Sequence, residues 1–446
     1  MLEEQWVTRR LNRLLEYLDS KSPAFLHKYW RSVDPTSIKQ RFLKGAFWNS
    51  VGAVLSRFFN MGTAVFLARF LGKEGFGEYG MIFSTLGMFG PLASLQQAPS
   101  ATYFVAKYRG TDKERAGKII KLNLLITLVM AVVTALIVFF TSPYLSENLL
   151  KNDKLSVSLK LASILMLVSA MGGVLAGVLT GFEAFKRLAY ISLLSNFFSL
   201  PAVVAGALWL GLPGAILGMI LVQGIIVLVY YEDLMKRSKG EEIHIHHPEY
   251  LSELRMVLKF SLPTMAASMI AGPAVWAANA LLVNQPGGYG EMGIFQAAQQ
   301  WKTVVLLLPG LINAGALPVM ANASANRKQF IQTVKYNVGS CAGLSLVTAL
   351  GIMLFSRFIM GIYGKDFRQG AMVLAITVMG GVLQAISHSL IQVMISTNRV
   401  WANLAVNIGS AALMVGLAWL WVPKGLAIGL SLATLGSLFI IVLCQL

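Results

Sequence analysis

Residues 70–83 read Phe70-Leu-Gly-Lys-Glu-Gly-Phe-Gly-Glu-Tyr-Gly-Met-Ile-Phe83, and the chain returns to this pattern at 284–295 as Asn284-Gln-Pro-Gly-Gly-Tyr-Gly-Glu-Met-Gly-Ile-Phe295. Gly75-Phe76-Gly77-Glu78-x-Gly80 is echoed by Gly288-Tyr289-Gly290-Glu291-x-Gly293, 213 residues later. Working outward, Lys121-Leu-Asn123 reappears as Lys335-Tyr-Asn337, at an offset of 214. Met171-Gly-Gly-Val-Leu175 reappears as Met379-Gly-Gly-Val-Leu383 at 208, and Trp209 and Pro213 match Trp419 and Pro423 at 210. Each match is short, but their common order and spacing mark two homologous halves, about 40–235 and 252–446.

Composition sets the solvent of those halves. The chain is 56% hydrophobic and 13% charged, with a mean hydropathy of +0.65, more apolar surface than a water-soluble fold of 446 residues can hide. Charge-free runs such as 79–106, 122–146, 161–182, 188–231 and 425–446 are each long enough for a helix to cross the bilayer core, which takes about 20 residues. The run 188–231 holds two spans broken at Gly211-Leu-Pro-Gly214; past Lys44 at its edge, 43–68 is interrupted only by Arg57, and 292–326 only by Lys302. The reading is an all-α polytopic membrane protein with twelve transmembrane helices, six per half, in parallel repeat. The predicted domains are an N-terminal extension 1–42, a six-helix bundle 43–235, a linker 236–251 and a second six-helix bundle 252–446.

The net charge of +17 raises the question of nucleic acid. With the spans alternated from the N-terminus, 26 of the 37 Lys and Arg fall on the N-terminal side, nine fall opposite, and Arg57 and Lys302 lie within spans. This bias follows the positive-inside rule and predicts a multi-pass protein of the cytoplasmic (inner) membrane with both termini cytoplasmic. The basic excess reads as topology and contact with anionic membrane lipids, and no aromatic-interleaved basic patch points to nucleic acid. Cys341 and Cys444 fall inside predicted spans, so neither a disulfide nor a metal pair is expected. In the extension, Leu11, Leu14, Leu15 and Leu18 among Arg9, Arg10 and Arg13 fit an interfacial amphipathic helix or a plain cytosolic one. His244, His246, His247 and Glu249 lack the spacing of a metal site, which leaves the linker as an exposed loop.

Polar residues inside the spans fall on faces. Asn49, Ser56, Asn60 and Thr63 share one face of the first helix, with Arg57 beside them, and a mid-span arginine normally points into the bundle or a wet cavity. Ser261, Thr264, Ser268, Gly272 and Asn279 form a stripe on the seventh span, kinked at Pro263 and Pro273. Gln296, Gln299, Gln300 and Thr303 do the same on the eighth, flanked by Lys302, and Gln384, His388 and Gln392 on the tenth. Glu183 and Arg187 form an i,i+4 pair at the cytoplasmic end of the fourth span, an ordinary surface pair or a gating contact. The span interior thus carries Arg57, Lys302 and a titratable His388 with no carboxylate well inside, a net positive lining that attracts anions and disfavours a pump for cations. Paired repeats with polar, kinked helices suit alternating access around a central cavity. A membrane enzyme of glycan assembly would need a carboxylate or metal constellation, and Glu147, Asp153 and Asp366 form none, so the protein reads as a transporter and not an enzyme.

Leu67-Ala-Arg-Phe-Leu-Gly-Lys-Glu-Gly-Phe-Gly-Glu-Tyr79 is similar to the signature that follows the first helix of Wzx-type polysaccharide and O-antigen flippases. These belong to the multidrug/oligosaccharidyl-lipid/polysaccharide (MOP) exporter superfamily, to which MATE-like transporters also belong. Thr180-Gly-Phe-Glu-Ala-Phe-Lys186 and Val105-Ala-Lys-Tyr-Arg-Gly110 resemble further segments of that family, and the resemblance covers nearly all of 43–446. It implies a V-shaped central cavity between two bundles. It also implies flipping of a polyprenyl-diphosphate-linked oligosaccharide to the outer leaflet for polysaccharide biosynthesis, with other polysaccharide-assembly membrane proteins as candidate partners. On that view Arg57 and Lys302 counter anionic charge, while Asn60, Ser268, Asn279, Gln296, Gln299, Gln300, Gln384 and His388 hydrogen-bond the substrate. Glu183, Arg187 and His388 are candidates for gating or proton coupling. No cofactor is expected beyond a coupling ion, H+ or Na+. The lipid II flippases resemble the chain but usually carry two further helices, and multidrug-type antiporters often use an acidic residue in the first bundle that this chain lacks.

Overall fold

The computed structural model describes residues 38–245, 248–313, 327–396 and 400–445, almost all of them helical. In chain order the helices are α1 (Ile38–Ser94), α2 (Gln97–Tyr108), α3 (Lys113–Tyr144), α4 (Leu155–Gly181), α5 (Phe185–Gly240), α6 (Leu254–Ser268), α7 (Ala271–Val283), α8 (Gly288–Val305), α9 (Arg327–Leu354), α10 (Ser356–Tyr363), α11 (Ala371–Ser396) and α12 (Val400–Gln445). Among the described residues, eight helical stretches are long and apolar enough to cross a membrane. Three of them, α1, α5 and α12, are too long for one crossing. The 57 residues of α1 would run about 86 Å at 1.5 Å per residue, against a hydrocarbon core of about 30 Å. The amphipathic stretch expected near Leu11–Leu18 and part of the eighth span lie outside the described residues.

Each long helix breaks where the sequence supplies a turn. Gly72 takes φ 69° in α1 and Gly211 φ 63° in α5, a region that costs glycine little. At Gly211 the chain folds back so tightly that a Cβ on Gly214 would lie 2.0 Å from the Gly206 carbonyl oxygen. Leu426 makes the corresponding turn in α12, where a Cβ on Gly429 would lie 2.2 Å from the Trp421 carbonyl oxygen. Without glycine at these crossings the paired helices would have to separate. Leu95 and Gln96, both at positive φ, interrupt the span shared by α1 and α2. At the opposite end of that span Asp112 caps α3 by accepting from the Arg115 amide at 3.0 Å.

One apolar core joins the two halves at the Gly72 end, running from Leu67, Phe76 and Ile82 to Met292, Ile294, Tyr363 and Phe367. Here the repeated signature meets its own copy. A Cβ on Gly77 would fall 1.8 Å from the Tyr289 carbonyl oxygen, and one on Gly293 would fall 2.0 Å from that of Lys73. Phe76 packs on Tyr363 and Phe367 of the second half, with ring centroids 6.2 Å away in each case. Its counterpart Tyr289 donates its hydroxyl to the Leu150 carbonyl of the first half at 2.8 Å. Arg69 Nε donates to the Ile362 carbonyl at 2.7 Å, and Asn284 Nδ2 to the Leu149 carbonyl at 2.8 Å. The acceptors are again 213 residues apart.

At the other end the first half has a core of its own, and the connection after α5 belongs to it. Ile243 and Ile245 are buried in that core, and a Cβ on Gly117 would lie 2.0 Å from the His244 carbonyl oxygen. The exposed loop expected over 236–251 is therefore a helix end followed by a docked strap. The two isoleucines bury apolar surface that the polar residues around them disguise. Arg115 pairs with Glu253 at 2.8 Å, Lys118 with Glu249 at 3.4 Å, and Lys113 with Glu242 at 2.8 Å. His246 and His247 lie outside the described residues.

Candidate functional site

The first crossing, α5 and α8 enclose a cavity of about 390 Å³ between the two halves. Positions 57, 60 and 63 share a helix face, and Arg57, Asn60 and Thr63 all line it. Gln296 and Gln300, one helical turn apart, supply the facing wall, and Tyr79 and Phe83 an aromatic side. Arg57 donates to the Gln300 backbone carbonyl and, at 3.1 Å, to Gln300 Oε1. Its Nε is buried without a hydrogen-bond partner. One guanidinium thus bridges the halves through part of its donor set and retains a donor for another acceptor.

A second cavity of about 410 Å³ adjoins the first through the shared residues Phe83 and Gln296. Asn279 and Gln299 line it with Ser84 and Gly272. Asn279 Nδ2 donates to Ser84 Oγ at 2.9 Å, and Trp276 Nε1 to Thr85 Oγ1 at 3.0 Å, so α7 is tied to α1 beside this space. Among the described residues, the walls of the two cavities contain Arg57 and no carboxylate.

Of the sequence-derived candidates, Arg57, Asn60, Asn279, Gln296, Gln299 and Gln300 thus come together. Lys302 does not join Arg57. It is 8% exposed and lies against α11, where a Cβ on Gly381 would come within 3.2 Å of its Cγ. His388, on the same helix α11, is exposed and within electrostatic range of Lys302, and Gln384 is half-buried one turn away. Ser268 is a wall residue of neither cavity. Its hydroxyl returns to the Thr264 carbonyl at 2.9 Å, as Ser261 and Thr264 return to Val257 and Phe260. Such back-bonding satisfies the α6 stripe within its own helix, so its polarity needs no cavity.

The Glu183–Arg187 pair is corrected. Helix α4 ends at Gly181 and α5 begins at Phe185, so Glu183 sits in the turn at φ 58° and the i,i+4 register is lost. Glu183 instead reaches Arg109 at 2.8 Å, and Arg187 reaches Asp233 at 3.4 Å. These contacts, with Arg115–Glu253, form an ionic surface at the strap end, where the hydrogen bond to Glu253 raises Arg115 above its ordinary pKa.

Sequence reasoning missed the α5 wall. Ser192, Ser195, Asn196 and Ser199 fall at spacings of three and four. Asn196 Nδ2 donates to Ser56 Oγ at 2.9 Å, and Ser56 and Ser192 hydroxyls are 3.1 Å apart. The periodic signal was present in the sequence. Gln223 adds a further amide to the same cavity from the far side of the Gly211 turn.

The family model described as polysaccharide biosynthesis protein matches residues 42–324. Stage V sporulation protein B of Bacillus subtilis is 25% identical over 72% of this chain, and the match takes in 65% of that protein's length. The EPS I polysaccharide export inner membrane protein EpsE of Ralstonia nicotianae is 21% identical over 88% of this chain and 89% of its own. In fold the chain is similar to an inward-facing multidrug resistance MATE family transporter of the MOP superfamily, with TM-score 0.71, 16% identity and coverage of 87% and 93%. It is equally similar to the lipid II flippase MurJ in its inward closed conformation, with TM-score 0.71, 16% identity and coverage of 89% and 86%. With its all-helical, membrane-crossing halves and the match over 42–324, the chain is a multi-pass membrane protein that belongs to the polysaccharide biosynthesis protein family.

Proposed function

We propose that the protein flips a polyprenyl-diphosphate-linked oligosaccharide across the cytoplasmic membrane by alternating access, without acting as an enzyme. The observation that carries this reading is the pair of adjoining cavities walled by one arginine, several amides and hydroxyls, and no carboxylate. A cation with an unpartnered buried donor suits a diphosphate or acidic sugar, which it can meet with charge-assisted hydrogen bonds. Amides and hydroxyls offer both donors and acceptors to sugar hydroxyls. The prenyl chain would remain in the bilayer while the polar head enters the cavity. Both termini and the basic strap end face the cytoplasm in this reading, because the excess of Lys and Arg lies on that side. The halves would then meet at the external face, and the cavity would load from within. The titratable His388 beside Lys302 makes H+ one candidate coupling ion, and Na+ is the other. Anionic membrane lipids and membrane proteins of the same assembly route are the partners this substrate implies.

The test is flipping in proteoliposomes of a fluorescent, short-chain polyprenyl-diphosphate oligosaccharide. Wild type should flip it, and Arg57→Ala should lose at least tenfold in initial rate while remaining folded. Wild type that ignores this substrate and exports a cationic dye would overturn the reading.

A further inference from the structure

Arg57 joins the two halves at the cavity edge of their contact. It belongs to α1, and its acceptors, the Gln300 carbonyl and Gln300 Oε1, belong to α8. Both residues line the cavity of about 390 Å³, so the contact is open to whatever occupies that space. The acceptors are neutral, and among the described residues no carboxylate acts on Arg57. The Gln300 carbonyl also accepts from Thr303 Oγ1 at 2.7 Å, so it keeps a partner when the guanidinium leaves. A guanidinium meets a phosphate through paired hydrogen bonds between two charged groups, which are stronger than bonds to a neutral amide. An anion in the cavity therefore competes with Gln300 for Arg57 and wins.

The packing beside Arg57 pulls the other way. Ile359, Met360 and Tyr363 fall on one face of the short helix α10, and all three are buried. That face holds the fully buried Tyr363 against Phe76 of the first half. The Tyr363 hydroxyl has no hydrogen-bond partner. Neither has Trp301 Nε1, which lies beside that hydroxyl without completing a bond to it. The Arg57 charge acts on the same hydroxyl. A buried O–H and a buried N–H left unpaired both regain hydrogen bonds to water when the surfaces part. The closed contact thus carries a penalty that opening relieves, and the Arg57–Gln300 contact opposes it.

We propose that Arg57 is a latch. With the cavity empty it ties α1 to α8 and holds the contact at the Gly72 end shut against the unpaired Tyr363 and Trp301; an anionic group entering the cavity takes the guanidinium from Gln300 and releases the halves. The anion binds better when Arg57 is free of Gln300, so by linkage it shifts the population toward the open contact. Opening of the empty protein is suppressed, because the guanidinium leaves Gln300 only for a stronger partner. The identity of the anion as a diphosphate rests on the proposed transport function, whereas the latch involves only residues of the chain itself.

The experiment is a pulsed electron paramagnetic resonance distance across the Gly72 end, between spin labels at Asn152 and Lys365, on the full chain in nanodiscs with and without farnesyl diphosphate. Unliganded wild type should populate the short distance. Farnesyl diphosphate should move it to the long one, and farnesol, which lacks the charge, should not. Arg57→Ala should show the long distance without ligand and no response to it. Gln300→Leu removes Oε1 but leaves Arg57 able to bind the anion, so it should be partly open without ligand and still respond. Tyr363→Phe keeps the ring on Phe76 and removes the unpaired hydroxyl, so it should need at least fivefold more diphosphate to open. Opposite shifts from variants at one contact separate a latch from a general loss of packing. An unliganded Arg57→Ala distribution that superimposes on wild type, or a Tyr363→Phe variant that opens more readily, would overturn the proposal. Opening by unliganded Arg57→Ala with no response of wild type to the diphosphate would support the latch and count against the diphosphate as the transported group.

Discussion

Replacing Gly77 with alanine should pry the two halves apart at the Gly72 end. The new methyl carbon would start 1.8 Å from the Tyr289 carbonyl oxygen, and contacts under 3.0 Å are essentially never adopted. The crossing must therefore open by about 1.2 Å at minimum, the difference between those two distances. Because the obstacle is backbone, no side-chain rotamer can relieve it. Overpacking of this kind costs about 1–3 kcal/mol, which is roughly 5- to 150-fold in the balance between closed and open contact. The assay is a pulsed electron paramagnetic resonance distance between spin labels at Asn152 and Lys365, in the loops of opposite halves. Cys341 and Cys444 are replaced by alanine in that background. Gly77→Ala should move population from the short to the long distance, whereas Gly87→Ala, whose added Cβ meets nothing within 4 Å, should not. A distance distribution for Gly77→Ala that superimposes on wild type would refute the reasoning.

Asn196→Ala removes the amide that links Ser56 to the α5 wall and should slow flipping two- to tenfold, about the 0.5–1.5 kcal/mol of one hydrogen bond, measured as initial rate in proteoliposomes. Arg115→Ala leaves Glu253, with a side chain 12% exposed, without its partner. Because Arg115 itself is 38% exposed, the loss should not exceed about 1 kcal/mol and should shrink as salt rises, read by thermal unfolding at low and high salt. Glu242 is held below the ordinary carboxylate range by the hydrogen bond and charge of Lys113. That contact is therefore complete above the ordinary range and is lost as pH falls through the lowered value. The protection factor of the Ile243 amide, bonded to the Ser238 carbonyl at 2.7 Å, should fall on acidification in wild type once the intrinsic slowing of exchange is divided out, and should not change in Lys113→Ala.

Membrane crossings were readable because they depend on length and apolarity alone, and the polar faces at Arg57–Asn60 and Gln296–Gln300 because helical period fixes which side chains travel together. Period does not say which neighbour a face meets. Lys302 flanks the glutamine face of α8, and only packing against Gly381 turns it to α11. The serines of α5 escaped notice because serine is common in spans and hides its polarity by bonding its own helix, whereas Asn196 at their centre was the stronger clue. In the strap, the alternation Ile243-x-Ile245 within a polar stretch was the visible sign of docking. The Glu183–Arg187 pair failed because helical spacing was counted across a turn.

The exchange at the Gly72 end has a consequence for how such a chain could arise. Each half places its signature aromatic, Phe76 or Tyr289, against the loop of the other, and each gives a side-chain N–H to a carbonyl at the matching position. A patch that receives what it offers is self-complementary, the condition for two identical subunits to pair about a two-fold axis. Two copies of a single half would meet that condition as a homodimer, before duplication and fusion joined them in one chain. The two halves now differ in their in-span cation, Arg57 in the first and Lys302 in the second, while both keep the glycines that bring the two signatures into contact.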